Sequence, residues 1–237
     1  MKNWPDGVHP IRGLMSWCHL LVDEQGIVLI DTGFPGDAGR ILRGIERLGF
    51  TPRDVRAIIL THGHIDHAGN AGRLQAVSGA PLYGHPADQP HLDGRHPYSG
   101  VARVCGVLEA AARALTSYAP VKISAPIADG DLLPFWGGLR VVHLPGHTVG
   151  HCGFYSARHD VLFSGDLWVR FMMRTQVSPR IFTDAPELVL PSLRKARAIG
   201  ARWVIPGHYG APNAARLKWR FENLCDEMER RKNLPVI

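Results

Sequence analysis

The chain has 237 residues, 45% of them apolar and 20% charged, the proportions of an ordinary globular protein and enough for one sizeable domain over residues 1–237. Its 27 basic and 21 acidic residues leave a formal charge of +6, but no long Lys/Arg block marks a nucleic-acid surface. No apolar run reaches membrane-spanning length, and Met1-Lys2-Asn3-Trp4-Pro5-Asp6-Gly7 carries no apolar signal-peptide region. Cys18, Cys105, Cys152 and Cys225 follow no knuckle or CxxC spacing, which reads as free thiols in a reducing cytoplasm.

In chain order, residues 20–23 and 27–30 read as a hairpin about Glu24-Gln25-Gly26. Asp31 and Thr32 stand at its end, placed to anchor neighbouring loops by hydrogen bonds. A helix over residues 37–48 stops at Gly49. The apolar run 56–60 is a buried strand, followed by ligand-type residues and a helix over 66–77. Leu82-Tyr83-Gly84 is a short strand. Residues 85–100, rich in His, Pro, Gly and Asp, read as an irregular loop with His85, His91 and His96 on the surface. An Ala-rich helix spans 101–118, and strand-like pieces cluster over 121–163. Residues 168–185 read as a second long loop, with Phe171, Met172 and Met173 as core or lid packing and Arg170 and Arg174 solvated. A helix covers 186–199. The stretch Arg216-Leu217-Lys218-Trp219-Arg220, with Phe221 and Leu224 beyond it, has the spacing of a surface helix with one buried face. Alternating strands and helices with strands massed in the middle suit two packed sheets covered by helices.

The chemistry concentrates at strand ends. Thr61-His62-Gly63-His64-Ile65-Asp66-His67 places four ligand-type residues within six positions. In extended chain residues i and i+2 point the same way, so His62 and His64 can reach one ion. Asp66 and His67 project differently, which suits a second ion roughly 3.5–4 Å from the first. Three later runs repeat one pattern, an apolar strand, then Gly, then a ligand: they close on His147, Asp166 and His208. Gly146 permits an unusual backbone angle just before His147. Neutral imidazole and carboxylate suit divalent transition metals. His151 reads as a proton donor, a support for a ligand or packing, and Tyr209 as structural.

These motifs, His62-x-His64-x-Asp66-His67, Gly146-His147-Thr148, Ser164-Gly165-Asp166 and Pro206-Gly207-His208, resemble the signature of the metallo-β-lactamase-fold superfamily, and Asp31-Thr32-Gly33 extends the match. The resemblance implies an α/β fold, an αββα sandwich of two packed mixed β-sheets flanked by helices, with a binuclear site along one sheet edge. It implies that His62, His64 and His147 hold one metal, that Asp66, His67 and His208 hold the other, and that Asp166 bridges. Gly146-His147-Thr148-Val149-Gly150-His151 is similar to glyoxalase II, and His62 to Gly69 also resembles small lactonases.

The expected activity is that of a metal-dependent hydrolase acting with a metal-bound hydroxide on a small ester, thioester, lactone or lactam. Asp66 and Asp166 orient the hydroxide and can carry its proton. Two divalent ions are expected, zinc preferred because the ligands include no thiolate, with iron, manganese or cobalt accepted by such a donor set. The competing readings are an RNA-processing metallo-nuclease, disfavoured by the short chain and the lack of a basic arm, and a mononuclear-iron dioxygenase of the persulfide dioxygenase type. A small-molecule substrate, no membrane, a cytoplasmic setting and a permitted homodimer complete the expectations. The loops 85–100 and 168–185 are expected to set the substrate.

Overall fold

A computed structural model describes residues 4–172, 174–210 and 213–232. Its first sheet runs β1 (Val8–Arg12), β2 (Trp17–Asp23), β3 (Gly26–Ile30), β4 (Val55–Ile59), β5 (Leu82–Gly84) and β6 (Ala125–Pro126), in that spatial order. The second contains β7 (Leu132–Leu133), β8 (Leu139–His143), β9 (Cys152–Ser156), β10 (Val161–Gly165) and β13 (Trp203–Pro206), in the order β13-β10-β9-β8-β7. β11 (Trp168–Phe171) and β12 (Arg174–Val177) form a separate hairpin. The helices are α1 (Ala38–Arg47), α2 (Ile65–Ala68), α3 (Ala71–Ser78), α4 (Gln89–Leu92), α5 (Arg103–Leu115), α6 (Val189–Ala198) and α7 (Ala214–Lys232).

The side-chain alternation of a strand sorts the layers. Along β3, Val28 and Ile30 face the second sheet and pack with Val141, Phe154 and Leu162, while Ile27 and Leu29 face outward and pack with Ile41, Ile45 and Leu74 of α1 and α3. With both faces covered, all five residues of β3 are buried. On the far side Leu193 of α6 and Leu217 and Phe221 of α7 close over the second sheet. This is the αββα sandwich, and both sheets are mixed: β3, β4, β5 and β6 pair in parallel, as do β10 and β13, while the other pairings are antiparallel.

Strand direction positions the site. β3 and β4 run parallel; β8 is antiparallel to β9, β9 to β10, and β10 is parallel to β13, so β8, β10 and β13 share a direction. The loops carrying Asp31, His62 to His67, His147, Asp166 and His208 therefore leave C-terminal strand ends. The amide of Cys152 donates to Thr61 O at 2.8 Å and that of Trp17 to Gly207 O at 2.9 Å, tying the two sheets together at this edge.

Several elements differ from expectation. The helix over 66–77 is two helices, α2 and α3, because the intervening Gly69 and Asn70 are claimed by the loop after β3: Gly69 N donates to Gly33 O at 3.0 Å and Asn70 Nδ2 to Thr32 O at 2.6 Å. The 85–100 segment is not wholly irregular, since a 3₁₀ turn at Pro86–Asp88 leads into α4. The 168–185 loop contains the β11–β12 hairpin, and Phe171 and Met172 at its tip are 47% and 80% exposed rather than packed; Met173 lies outside the described residues. α7 has the expected buried stripe of Leu217, Phe221, Leu224 and Cys225.

Candidate metal centre

The seven sequence-predicted ligands converge at the C-terminal strand edge. His62, His64 and His147 each offer a ligand atom within 4.8 Å of the others, and so do Asp66, His67 and His208. Asp166 lies between the two groups, its oxygens 3.4 Å from His67 Nε2, 3.7 Å from His147 Nε2 and 3.1 Å from His208 Nε2. His62 Nε2 faces His147 Nε2 at 3.1 Å, and His67 Nε2 faces His208 Nε2 at 3.2 Å. Atoms each about 2.0–2.1 Å from a tetrahedral zinc would be roughly 3.3 Å apart.

Proton accounting sharpens this. The Thr61 hydroxyl has one proton and donates it to Asp31 Oδ2 at 2.8 Å, so at 3.0 Å it accepts from His62 Nδ1. His67 Nδ1 donates to Asp31 Oδ2 at 2.9 Å, and His208 Nδ1 donates to Met15 O at 3.0 Å. In the neutral form of each ring the proton is committed at Nδ1, which leaves Nε2 as the lone pair a cation would take; without a cation, the carboxylates beside His67 and His208 favour a second proton on those two rings. Buried His64 Nε2, His147 Nδ1 and Asp166 Oδ1 have no hydrogen-bond partner among the described residues. Ring nitrogens this close need a proton or a cation between them, and a divalent cation can serve all of them at once. The donor set of imidazoles and carboxylates fits a metal site.

The electrostatics divide the histidines into two groups. Burial, then neighbouring imidazoles, pushes His62 and His147 well below the ordinary histidine range, which keeps them in the neutral, ligating form. Burial opposes charge on His67 as well, but the Asp166, Asp66 and Asp31 carboxylates raise it to about 9. Burial opposes ionisation of Asp66 too; His67 and His208 nonetheless hold its carboxyl below the usual range.

The backbone explains the aim of the ligands. Gly146 takes φ 143°, as the sequence anticipates, and Gly165 takes φ 49° where β10 turns into Asp166. A Cβ on Gly165 would lie 2.5 Å from His151 Nε2. His151 supports rather than ligates: its Nδ1 donates to Leu144 O at 2.9 Å, and its Nε2 accepts from Asp166 N at 2.9 Å. Asp31 and Thr32 anchor the ligand loops as expected: Asp31 also accepts from Thr61 N at 2.8 Å, and Thr32 Oγ1 donates to His67 O at 2.8 Å. Tyr209 is structural, stacked on Trp17 at 4.5 Å with its hydroxyl 3.1 Å from His19 Nε2, though it also lines the cleft.

The 85–115 region holds positioning residues that the sequence did not reveal. Asp88 accepts from Gly63 N at 2.8 Å, Thr148 Oγ1 at 2.7 Å and Gly150 N at 2.8 Å, joining the His62 and His147 loops. Glu109 accepts from Ile65 N at 2.9 Å and from the Tyr98 hydroxyl at 2.6 Å. His91 is not a surface residue: it is fully buried, its ring centre 5.0 Å from that of His64, and both His91 and His96 approach Asp184 Oδ2, at 3.2 and 3.0 Å. Asp184 N in turn donates to His147 O at 3.0 Å. The Asp88 and Glu109 ties to the ligand loops each cross 25 or more positions of chain, so no local spacing announces them.

The cluster forms the floor of a cleft of about 630 Å³. Leu14, Phe34, Leu108, Phe171 and Phe182 contribute apolar walls, and among the described lining residues Arg170 is the one Lys or Arg. Among the described residues no helix is long and apolar enough to cross a membrane.

Comparison with known proteins agrees with this arrangement. A model of the metallo-beta-lactamase superfamily matches residues 11–208. An uncharacterized protein of Mycobacterium leprae is 32% identical over 211 residues, covering 81% of this chain and 92% of its own. A protein of Haemophilus influenzae named hydroxyacylglutathione hydrolase GloC is 29% identical over 166 residues, 67% of this chain and 69% of its own. Among solved structures, a metallo-beta-lactamase family protein from Thermus thermophilus superposes with a TM-score of 0.73 at 25% identity, over 95% of this chain and 80% of that one.

Proposed function

The chain belongs to the metallo-β-lactamase superfamily, and from that premise we propose that its strand-edge cluster holds two divalent cations and hydrolyses a small ester, thioester, lactone or lactam. His62, His64 and His147 would hold one ion, and Asp66, His67 and His208 the other, with Asp166 between them. Zinc is the preferred ion, because the donors are imidazole and carboxylate and hydrolysis needs no redox chemistry. The ions would supply Lewis acidity and water acidified toward neutrality. The convergence of bare ring nitrogens on two points, 3.1 and 3.2 Å apart across the pairs, is the observation that carries this reading.

The remaining work falls to the chain itself. Asp66 is the more open carboxylate, its side chain 18% exposed toward the cleft against 6% for Asp166. Both are held ionised by His67 and His208 against the cost of burial. An ionised carboxylate at the cleft floor can accept the proton of an attacking water and return it to the leaving group. Asp166, fixed through its amide by His151, orients. The apolar walls exclude bulk water and suit a small molecule rather than nucleic acid. Thioesters head the substrate set, since one relative is named a hydroxyacylglutathione hydrolase.

Elemental analysis of the protein and of His62→Ala and His208→Ala, paired with a panel of thioesters, lactones, lactams and phosphodiesters, tests this. Wild type should carry two ions per chain, and each variant should lose metal and turnover together. Full turnover by a metal-free preparation would overturn the proposal.

A further inference from the structure

The first turns of α7 carry positive charge that no carboxylate among the described residues neutralises. Further along this helix the acids are already engaged: Glu222 meets Lys218 and Arg197, each at 2.8 Å, Asp226 meets Arg197 at 2.8 Å, and Glu227 and Glu229 meet Arg231 and Arg194. None of these ion pairs involves the guanidinium of Arg216 or Arg220. The first turn of α7 has no acidic residue at all. Cations near a helix N-terminus oppose the helix dipole, and like charges four residues apart share a face and repel. The fold thus keeps two arginines where its own stability disfavours them.

Shape and neighbours say what they could hold. Arg216 and Arg220, with Trp219 and Asn213, line a hollow of about 620 Å³. Trp219 is 66% exposed, an unusual state for so large an apolar ring. α7 packs against the hairpin that walls the metal cleft, Phe221 lying 5.9 Å from Trp168 between ring centres. From that hairpin Arg170 lines the cleft. Burial, then the charges of Arg170 and Arg216, pulls the Arg220 guanidinium below its usual value, as expected of three neighbouring cations. Arg170 on the cleft side is thus near enough to Arg220 on the hollow side to influence its charge. Guanidinium groups match phosphate oxygens two at a time, and an indole face takes a stacked aromatic base.

We propose that the hollow of Asn213, Arg216, Trp219 and Arg220 binds a phosphorylated aromatic group of the nucleotide class, and that this group is the handle of the substrate whose reactive bond lies over the cluster. The second half rests on the hydrolase reading; the binding itself does not.

Calorimetric titration of the full-length, metal-loaded protein with adenosine diphosphate is the test. Saturable binding is expected, weakened about tenfold or more by Arg216→Ala or Arg220→Ala, each of which removes a charge-assisted contact. Trp219→Ala should weaken the nucleotide and leave inorganic pyrophosphate unchanged. These three side chains are at the surface, and an unchanged melting temperature shows the variants folded. No saturable binding at millimolar nucleotide overturns the proposal. So does binding that ignores the arginines but disappears in His208→Ala, which would put the phosphates on the metals. For the handle, an acyl-coenzyme A thioester is compared with the same acyl group on N-acetylcysteamine. Arg220→Ala should raise KM for the first about tenfold and leave kcat and the second unchanged. Equal losses on both would refute a handle. Absence of any turnover with nucleotide binding intact would refute the hydrolase reading alone.

Discussion

Asp31→Asn perturbs the cluster without touching a ligand. Asp31 is 2% exposed and sits at φ 59°, a left-handed angle that Asn tolerates, so the backbone is not the variable. Its Oδ1 accepts from Thr61 N at 2.8 Å, and its Oδ2 accepts from Thr61 Oγ1 at 2.8 Å and His67 Nδ1 at 2.9 Å. Asn keeps the first bond but presents an NH₂ where Oδ2 stood. Two donors then face a donor. His67 escapes by moving its proton to Nε2, while the Thr61 hydroxyl keeps Oδ1, 3.1 Å away, as its acceptor. The His67 ring then presents N–H where a lone pair is needed. Loss of one hydrogen bond to a charged group costs about 1.5–3 kcal/mol, or roughly 3–12 °C in Tm for a chain of this size. Removing a carboxylate that orients a ligating histidine costs about 10–100-fold in metal affinity. Chelator competition measures the affinity, and calorimetry of the metal-free protein measures the stability. If the Asp31→Asn variant melts early yet binds both ions within about threefold of wild type, the tautomer argument is refuted and Asp31 is a packing residue.

Three other outcomes follow from the same geometry. Gly165→Ala, at φ 49° with its Cβ 2.5 Å from His151 Nε2, should lose metal and more than about 2 kcal/mol, whereas Gly200→Ala, at φ 71° with nothing within 4 Å, should cost only the roughly 1 kcal/mol of backbone strain; urea melts of the two compare them. In metal-free protein, His67 is raised from 6.5 to about 9, so its contribution is full below pH 6.5 and is lost as pH rises from there through 9. Tm should fall across that window while metal affinity rises, with proton release seen by titration calorimetry in buffers of different ionisation enthalpy. Asp88→Asn replaces an acceptor of three buried donors with a group that can accept at only one atom. It should lower stability by about 1–3 kcal/mol and weaken metal binding, measured by thermal melts and chelator competition.

The proposed ligands are legible in the sequence because each is written beside the strand that delivers it. An apolar run stops, a Gly follows, and the next side chain must lie at a sheet edge; His147, Asp166 and His208 obey this, and His62 follows its run after a single Thr. The ties that hold them are not local. Asp88 stands in a Pro86-Ala87-Asp88 turn that reads as ordinary loop, and its partners Thr148 and Gly150 are 60 and 62 positions away. The β11–β12 hairpin escapes for a different reason: its turn uses Met172 at φ 46°, an angle for which Gly or Asn is the usual signal. β1 escapes because Pro10 lies inside it, which only an edge strand tolerates, and β1 is the edge.

Left-handed residues also occur at Trp136, Asp160 and Met172, but buried charge and opposed ring nitrogens gather in one place. Asp31 in a left-handed conformation, the buried carboxylates Asp88, Glu109 and Asp166, and ring nitrogens opposed at 3.1 and 3.2 Å all gather around one strand edge. Away from that edge, the inter-sheet core is aliphatic and aromatic. Desolvated charge concentrated at that edge leaves stability that a bound cation can restore, because the opposed ring nitrogens would gain a shared partner. Metal should therefore raise Tm far more than any single substitution in the core-facing strands lowers it, and the gain should vanish in His62→Ala while surviving in Arg216→Ala. A Tm that does not respond to added zinc in wild type would mean that the cluster is stable as it stands, and the accounting of bare nitrogens would fail.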